Sequence, residues 1–155
     1  MFTTNEEENF FMSHIDESKK VLEYGSGMST IQISRKCKSI VSVEHQENWY
    51  NKIKIELPNN AEILFRKPNL PYEGPHCGTY EEFKDYVEAP LQQAPFDIIL
   101  IDGRARVSCA SIVKELSHPD TIIFIHDFER QEYQEVLNFL TLTNRVGNMA
   151  KFKNK

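Results

Sequence analysis

The sequence predicts an α/β protein: a doubly wound, mostly parallel sheet closed by a C-terminal antiparallel hairpin. Three observations predict it. Short, nearly continuous apolar runs alternate with amphipathic helical patterns, as buried parallel strands and their crossover helices require. The first run ends on a glycine turn, Gly25-Ser26-Gly27. The last two runs flank Gly147-Asn148, a dipeptide suited to a two-residue hairpin loop.

The elements follow in order. Val21 to Tyr24 is the first strand, and a helix is expected from near Ser29 or Thr30. Ser39 to Glu44 is rich in β-branched residues and ends on an acid, and Ala61 to Phe65 is a third short strand. Phe96 to Asp102 and Thr121 to Asp127 are the strongest apolar runs. Between strands, Tyr50, Ile53 and Leu57 share one helical face, and Thr79 with Glu82 forms a capping box ahead of Phe83, Tyr86 and Val87. Cys109, Ile112, Val113 and Leu116 follow helical spacing, as do Tyr133, Val136, Leu137 and Leu140. Leu140 to Val146 and Met149 to Phe152 form the hairpin. Right-handed crossovers then wind the sheet on both faces.

A chain of 155 residues with 40% hydrophobic and 26% charged content matches one globular domain, residues 1–155. No apolar run reaches the roughly 18 residues that span a bilayer. Met1 to Asn9 is acidic and polar, unlike a signal peptide, so a cytoplasmic location is expected without membrane association. Cys37, Cys77 and Cys109 are odd in number and lack metal-binding spacing, so free thiols are expected. A net charge of -5 argues against a nucleic-acid partner and for a small or neutral one.

In sheets of this kind ligands sit beyond the carboxyl ends of the strands. That directs attention to Glu23 to Thr30, Glu44-His45, Asp102 to Arg106 and His126 to Arg130. Gly25 and Gly27 permit a tight turn and close approach of backbone to a ligand, although the same pair also serves an ordinary strand-to-helix turn. Glu44 ends the next strand, placed to accept both ribose hydroxyls of an adenosine cofactor. Glu23 discriminates among such cofactors. A carboxylate ahead of the loop repels a pyrophosphate, whereas it stabilises a sulfonium and an ammonium directly or through water. Thr30 stands where a dinucleotide fingerprint has its third glycine. The balance favours S-adenosylmethionine, with Glu23, Tyr24, Gly25, Ser26, Gly27, Ser29, Thr30, Glu44, His45 and Asp102 as the expected cofactor residues.

Val21-Leu22-Glu23-Tyr24-Gly25-Ser26-Gly27-Met28-Ser29-Thr30 resembles the first motif of class I S-adenosylmethionine-dependent methyltransferases. Val41-Ser42-Val43-Glu44 resembles their second motif, and Phe96 to Asp102 their fourth strand with its active-site acid. The resemblance spans nearly the whole chain. It implies a Rossmann-like, seven-stranded sheet whose last strand is reversed. Ile101 to Ala110 resembles a smaller group of O-methyltransferase-like proteins, some of which act on sugars or polysaccharides.

Methyl transfer needs nucleophile and methyl group held in line, and an alcohol must also lose a proton. Asp102, His126, Asp127 and Arg104 are the expected catalytic residues, with Asp102 or a neutral His126 as base. Asp102 equally suits a helix cap, His126 a satisfied strand-end position, and Arg104 and Arg106 surface charges or pairs with nearby acids. Glu129 and Arg130 read as helix surface and Tyr133 as core. Asp102 and Asp127 resemble the metal-binding acids of catechol and macrolide-sugar O-methyltransferases. Phe128 replaces the third ligand of that pattern, so a divalent metal is not expected. The irregular segment Lys67 to Gly78, with Tyr72 and His76, reads as a lid or as a rigid surface loop.

The function expected is O-methylation of a small hydroxylated acceptor such as a sugar, nucleotide-sugar or glycan. The alternatives are an N-methyltransferase on the same scaffold, a non-catalytic S-adenosylmethionine-binding partner subunit and, more distantly, a nicotinamide-binding domain. A homodimer is compatible with the sequence, and no feature demands it.

Overall fold

The computed structural model describes residues 2–155. The five apolar runs form strands β1 (Lys20–Tyr24), β2 (Ser39–Glu44), β3 (Ala61–Phe65), β4 (Phe96–Ile101) and β5 (Ser117–Ile125). The tail forms β6 (Leu140–Val146) and β7 (Met149–Asn154). All seven join one sheet in the order β3-β2-β1-β4-β5-β7-β6. β1 to β5 pair in parallel, and β7 runs antiparallel to both β5 and β6. The order reverses beside β1, between β2 and β4, where a crevice forms at the strand ends.

Period-two alternation sorts the strand residues onto two faces. Leu22, Tyr24, Ile99 and Ile101 pack with Phe83 and Tyr86 of helix α4 (Tyr80–Glu88). Val21, Ile98, Leu100 and Phe124 pack on the opposite side with Phe11 of helix α1 (Asn5–Met12) and Ile33 of helix α2 (Met28–Ser34). Helix α3 (Glu47–Lys54) buries Ile53 against Ile31 and Ile63, with Leu57 packing from beyond its end. The expected capping box is present at α4, where Thr79 accepts from the Glu82 amide and Glu82 from the Thr79 amide.

Two local expectations are corrected, and one element is added. The helix expected across Cys109 to Leu116 breaks at Ile112 into α5 (Arg106–Ser111) and α6 (Val113–Leu116). The Ser111 hydroxyl donates back to the Ser108 carbonyl just before the break, a local bond that competes with helix continuation. The Tyr133 to Leu140 pattern folds as a 3-10 helix over Gln131–Asn138, and Leu140 opens β6. Three residues per turn keep Tyr133 and Val136 together inside and leave Leu137 outside. Finally, the acidic N-terminal stretch is helix α1, capped by the Thr4 side chain and carrying Glu6, Glu7 and Glu8 in its first turn. No helix among the described residues is long and apolar enough to cross a membrane.

Candidate functional site

Three loops meet at the carboxyl ends of the central strands. Gly25, after β1, adopts φ +95°, and a Cβ there would lie 2.7 Å from the Cα of Gly103 in the loop after β4. A Cβ on Gly103 would in turn meet the Tyr86 hydroxyl and the Gly25 amide. The loops therefore cross on bare backbone. Beside the crossing opens a cavity of about 360 Å³. Gly25, Ser26, Gly27, Ser29, Glu44, His45, Gln46 and Trp49 line one side of it; Asp102, Gly103, Arg104, Arg106, Arg130 and Tyr133 line the other.

Glu44 stands on the cavity wall with its carboxylate already engaged. Oε2 accepts from the Ser26 amide (3.1 Å) and hydroxyl (2.7 Å), and Oε1 from the His45 (2.9 Å) and Gln46 (2.8 Å) amides. Burial opposes its charge, but His45, Ser26 and Gln46 outweigh burial and hold the carboxyl below its usual range. The Trp49 indole donates to the Ser26 carbonyl and pins the glycine loop from α3.

Glu23, Tyr24 and Thr30, expected among the cofactor residues, do not line the cavity. Strand alternation turns Glu23 away from Leu22 and Tyr24, under α2. There its carboxyl, fully buried, accepts from Ser29 (2.5 Å), Thr30 (2.5 Å) and Ser42 (2.9 Å). Burial is the dominant influence and raises it to about 7. Glu23 thus anchors the helix behind the loop. The Tyr24 hydroxyl donates to the Val87 carbonyl at 2.6 Å, inside the core.

Beside the cavity five side chains form one cluster. His126 Nδ1 lies 3.3 Å from both Asp102 Oδ1 and Asp127 Oδ1, and its Nε2 lies 3.1 Å from Glu7 Oε2. Arg106 Nη1 lies 3.1 Å from Asp127 Oδ2, and Nη2 lies 3.5 Å from Asp102 Oδ1. Burial works against the charge on Asp102, but His126 and Arg106 hold its carboxyl below the usual range. Burial likewise pushes the imidazole down, yet Asp102, Glu7 and Asp127 outweigh it and raise it. Both ring nitrogens of His126 thus face carboxylates. Asp127 itself holds φ +57°, a left-handed conformation uncommon outside glycine, two residues beyond the end of β5.

Arg104 reaches the cavity with its guanidinium 5.5 Å from the centre of the Tyr72 ring, so the Lys67 to Gly78 segment borders the site. Arg130 is exposed yet lines the cavity and lies 3.5 Å from Asp127 Oδ2, and buried Tyr133 lines it too. The sequence had placed both outside the site.

No protein-family profile matches the sequence, and no curated protein matches it either. Solved structures do. A methyltransferase-like protein from Silicibacter pomeroyi aligns over 100% of this chain and 88% of its own, with a TM-score of 0.75 and 24% identity. The 16S rRNA N2 G1207 methyltransferase of T. thermophilus, in complex with AdoMet and guanosine, aligns over 99% of this chain and 44% of its own (TM-score 0.68, 15% identity). The MycE methyltransferase of the mycinamycin biosynthetic pathway, in complex with Mg, SAH and mycinamycin VI, aligns over 95% and 48% (TM-score 0.62, 12% identity). The fold is that of the class I S-adenosylmethionine-dependent methyltransferases.

Within the methyltransferase fold, the cavity suits that cofactor chemically. The Glu44 carboxylate lies in its lining beside the glycine loop, where it suits ribose hydroxyls. A cation site is less well matched. The ligand atoms of Asp102, His126 and Asp127 lie within 4.8 Å of one another, but Arg106 already engages both acids and both His126 nitrogens face carboxylates. Phe128, after Asp127, packs at 5.1 Å on the Phe152 ring and brings no oxygen.

Sequence reasoning missed Trp49 and Glu7. Trp49 had a signal: it is the single tryptophan and follows the β2 acid into the next helix. Glu7 reaches the cluster only through the docking of α1, which no local pattern announces.

Proposed function

We propose that the protein is an S-adenosylmethionine-dependent methyltransferase acting on the hydroxyl of a small acceptor such as a sugar or glycan. The observation that carries the reading is the single cavity joining the Gly25-Ser26-Gly27 loop and Glu44 to the carboxylate of Asp102. When bound, the cofactor supplies an electrophilic methyl group on a sulfonium. The loop would hold its amino-acid end, Glu44 its ribose hydroxyls, and His45 and Trp49 the edge of its base. Asp102, kept ionised beside Arg106 and His126, would accept a hydrogen bond from the acceptor hydroxyl and orient its lone pair. In this reading the oxygen passes its proton to that carboxylate as the O–CH₃ bond forms and the S–CH₃ bond breaks, with S-adenosylhomocysteine leaving. The lowered basicity of Asp102 makes orientation the larger part of its contribution. Arg104 and Tyr133 border the space left for the acceptor.

A second reading, a cofactor-binding subunit without transferase activity, draws support from the internal neutralisation of Asp102 and Asp127. Transfer of labelled methyl from S-adenosylmethionine across a panel of hydroxylated and amine acceptors separates the two. The enzyme reading expects a methylated hydroxyl product, lost in Asp102→Asn while S-adenosylhomocysteine still binds. Full turnover by Asp102→Asn removes that residue from the mechanism. Binding without transfer to any acceptor favours the subunit, and transfer to amines alone moves the reading to N-methylation.

A further inference from the structure

We infer that Arg106 occupies, as a built-in cation, the position between Asp102 and Asp127 that a divalent metal would otherwise fill. The surroundings of the guanidinium are those of a cation site. Besides the two carboxylates, Nη1 donates to the His126 carbonyl at 2.5 Å, Nε to the Gly103 carbonyl at 3.0 Å, and Nη2 to the Asp102 carbonyl at 3.4 Å. Five oxygen partners thus converge on one guanidinium, which is 7% exposed and stacks 4.9 Å from the centre of the Tyr133 ring. Arginine keeps its charge at every relevant pH, and its planar fork matches two carboxylates at once. A hard cation needs several of the same oxygens, at 2.0 to 2.6 Å, and finds them turned towards Arg106.

The remaining candidate ligands do not repair the set. Both nitrogens of His126 are already engaged, Nδ1 facing Asp102 and Asp127 and Nε2 facing Glu7. The carbonyl of His126, which would otherwise point into the gap, is tied to Arg106. The left-handed backbone at Asp127 aims its carboxylate at the guanidinium, so a strained conformation is held by this ion pair. The site is built for a cation and already contains one. The consequence for catalysis, a reacting face independent of metal ions, rests on the methyltransferase reading. The occupancy by Arg106 does not.

The test uses the full chain and Mn²⁺ as probe, read by the loss of free-ion signal in electron paramagnetic resonance. The parent protein is expected to leave the signal unchanged, and prolonged dialysis against a chelator to leave its thermal midpoint unchanged. Arg106→Met removes the charge and the guanidinium while keeping an unbranched apolar stem, and is expected to bind Mn²⁺ at least about tenfold more tightly than the parent, with Asp127→Asn in that background abolishing the gain. Stoichiometric Mn²⁺ binding by the parent, lost in Asp102→Asn or Asp127→Asn, overturns the inference. So does a folded Arg106→Met protein that binds no more Mn²⁺ than the parent. If Arg106→Met does not fold, the parent decides: saturable Mn²⁺ binding or destabilisation by the chelator contradicts the inference, and indifference to both supports it.

Discussion

The carboxylate of Glu7 lies 3.1 Å from the imidazole Nε2 of His126, across 119 residues of sequence. It also accepts from the Thr3 amide (2.9 Å), the Thr3 hydroxyl (2.5 Å) and the Asn148 amide (2.7 Å). One buried side chain therefore ties the N-terminal helix, the end of β5 and the turn between β6 and β7. Burial alone would raise this carboxyl, but bonds from Thr3, Asn148 and His126 outweigh it and hold it at about 2.

The sign of the resulting pH dependence follows. A carboxyl depressed on folding contributes stability that is complete above its ordinary value of about 4.5 and is lost as pH falls through about 2. Glu7→Gln is expected to cost about 3 kcal/mol near neutral pH, as loss of one member of a buried charged pair does. That cost should shrink in acid. Urea unfolding of parent and variant at neutral pH and near pH 2 checks this, and an equal difference at both contradicts it.

Glu23 behaves in the opposite sense. Its carboxyl is raised to about 7 on folding, so its contribution to stability is complete below about 4.5 and declines as pH rises to about 7. Glu23→Gln removes that titration. Whatever the variant loses in hydrogen bonds to Ser29, Thr30 and Ser42, its stability relative to the parent should improve by roughly 3 kcal/mol between about pH 4.5 and pH 7, then level off. Denaturant midpoints across that range measure it. A difference independent of pH would show that Glu23 ionises normally.

The two glycines of the loop should separate folding from binding. Gly25→Ala needs a left-handed alanine with its methyl against the Gly103 backbone, and is expected to cost about 2–4 kcal/mol in thermal or urea unfolding. Gly27 is extended, and its nearest neighbours to an added Cβ, Ser29 Oγ and Trp49 Nε1, stand at 3.8 Å. Gly27→Ala should stay within about 1 kcal/mol of the parent. Because Gly27, Ser29 and Trp49 all line the cavity, its methyl should weaken S-adenosylhomocysteine binding. Equal stabilities for the two variants would contradict this geometry.

The parallel strands were legible because each is a run of buried apolar residues, and the hairpin because Gly147-Asn148 admits the two-residue turn that pairs Val146 with Met149. The glycine loop and Glu44 were legible for the same local reason: each carries its chemistry at a strand end. The burial of Glu23 was not legible, because its position along the chain says nothing of the face its side chain takes once α2 covers it. Arg106 was ambiguous because its partners come from two strand ends, and only the sheet brings Asp102 and Asp127 together. Glu7 was illegible altogether. Its bond to His126 depends on α1 docking Phe11 against Phe124, at 4.9 Å between ring centres, a tertiary event without a local signature.

The most direct test of the account is calorimetric titration of the full chain with S-adenosylhomocysteine and, separately, with NAD. The account predicts single-site binding of S-adenosylhomocysteine, weakened at least about tenfold in Glu44→Ala as expected for loss of hydrogen bonds to a charged group, with no heat from NAD. Binding of NAD with none of S-adenosylhomocysteine would contradict it.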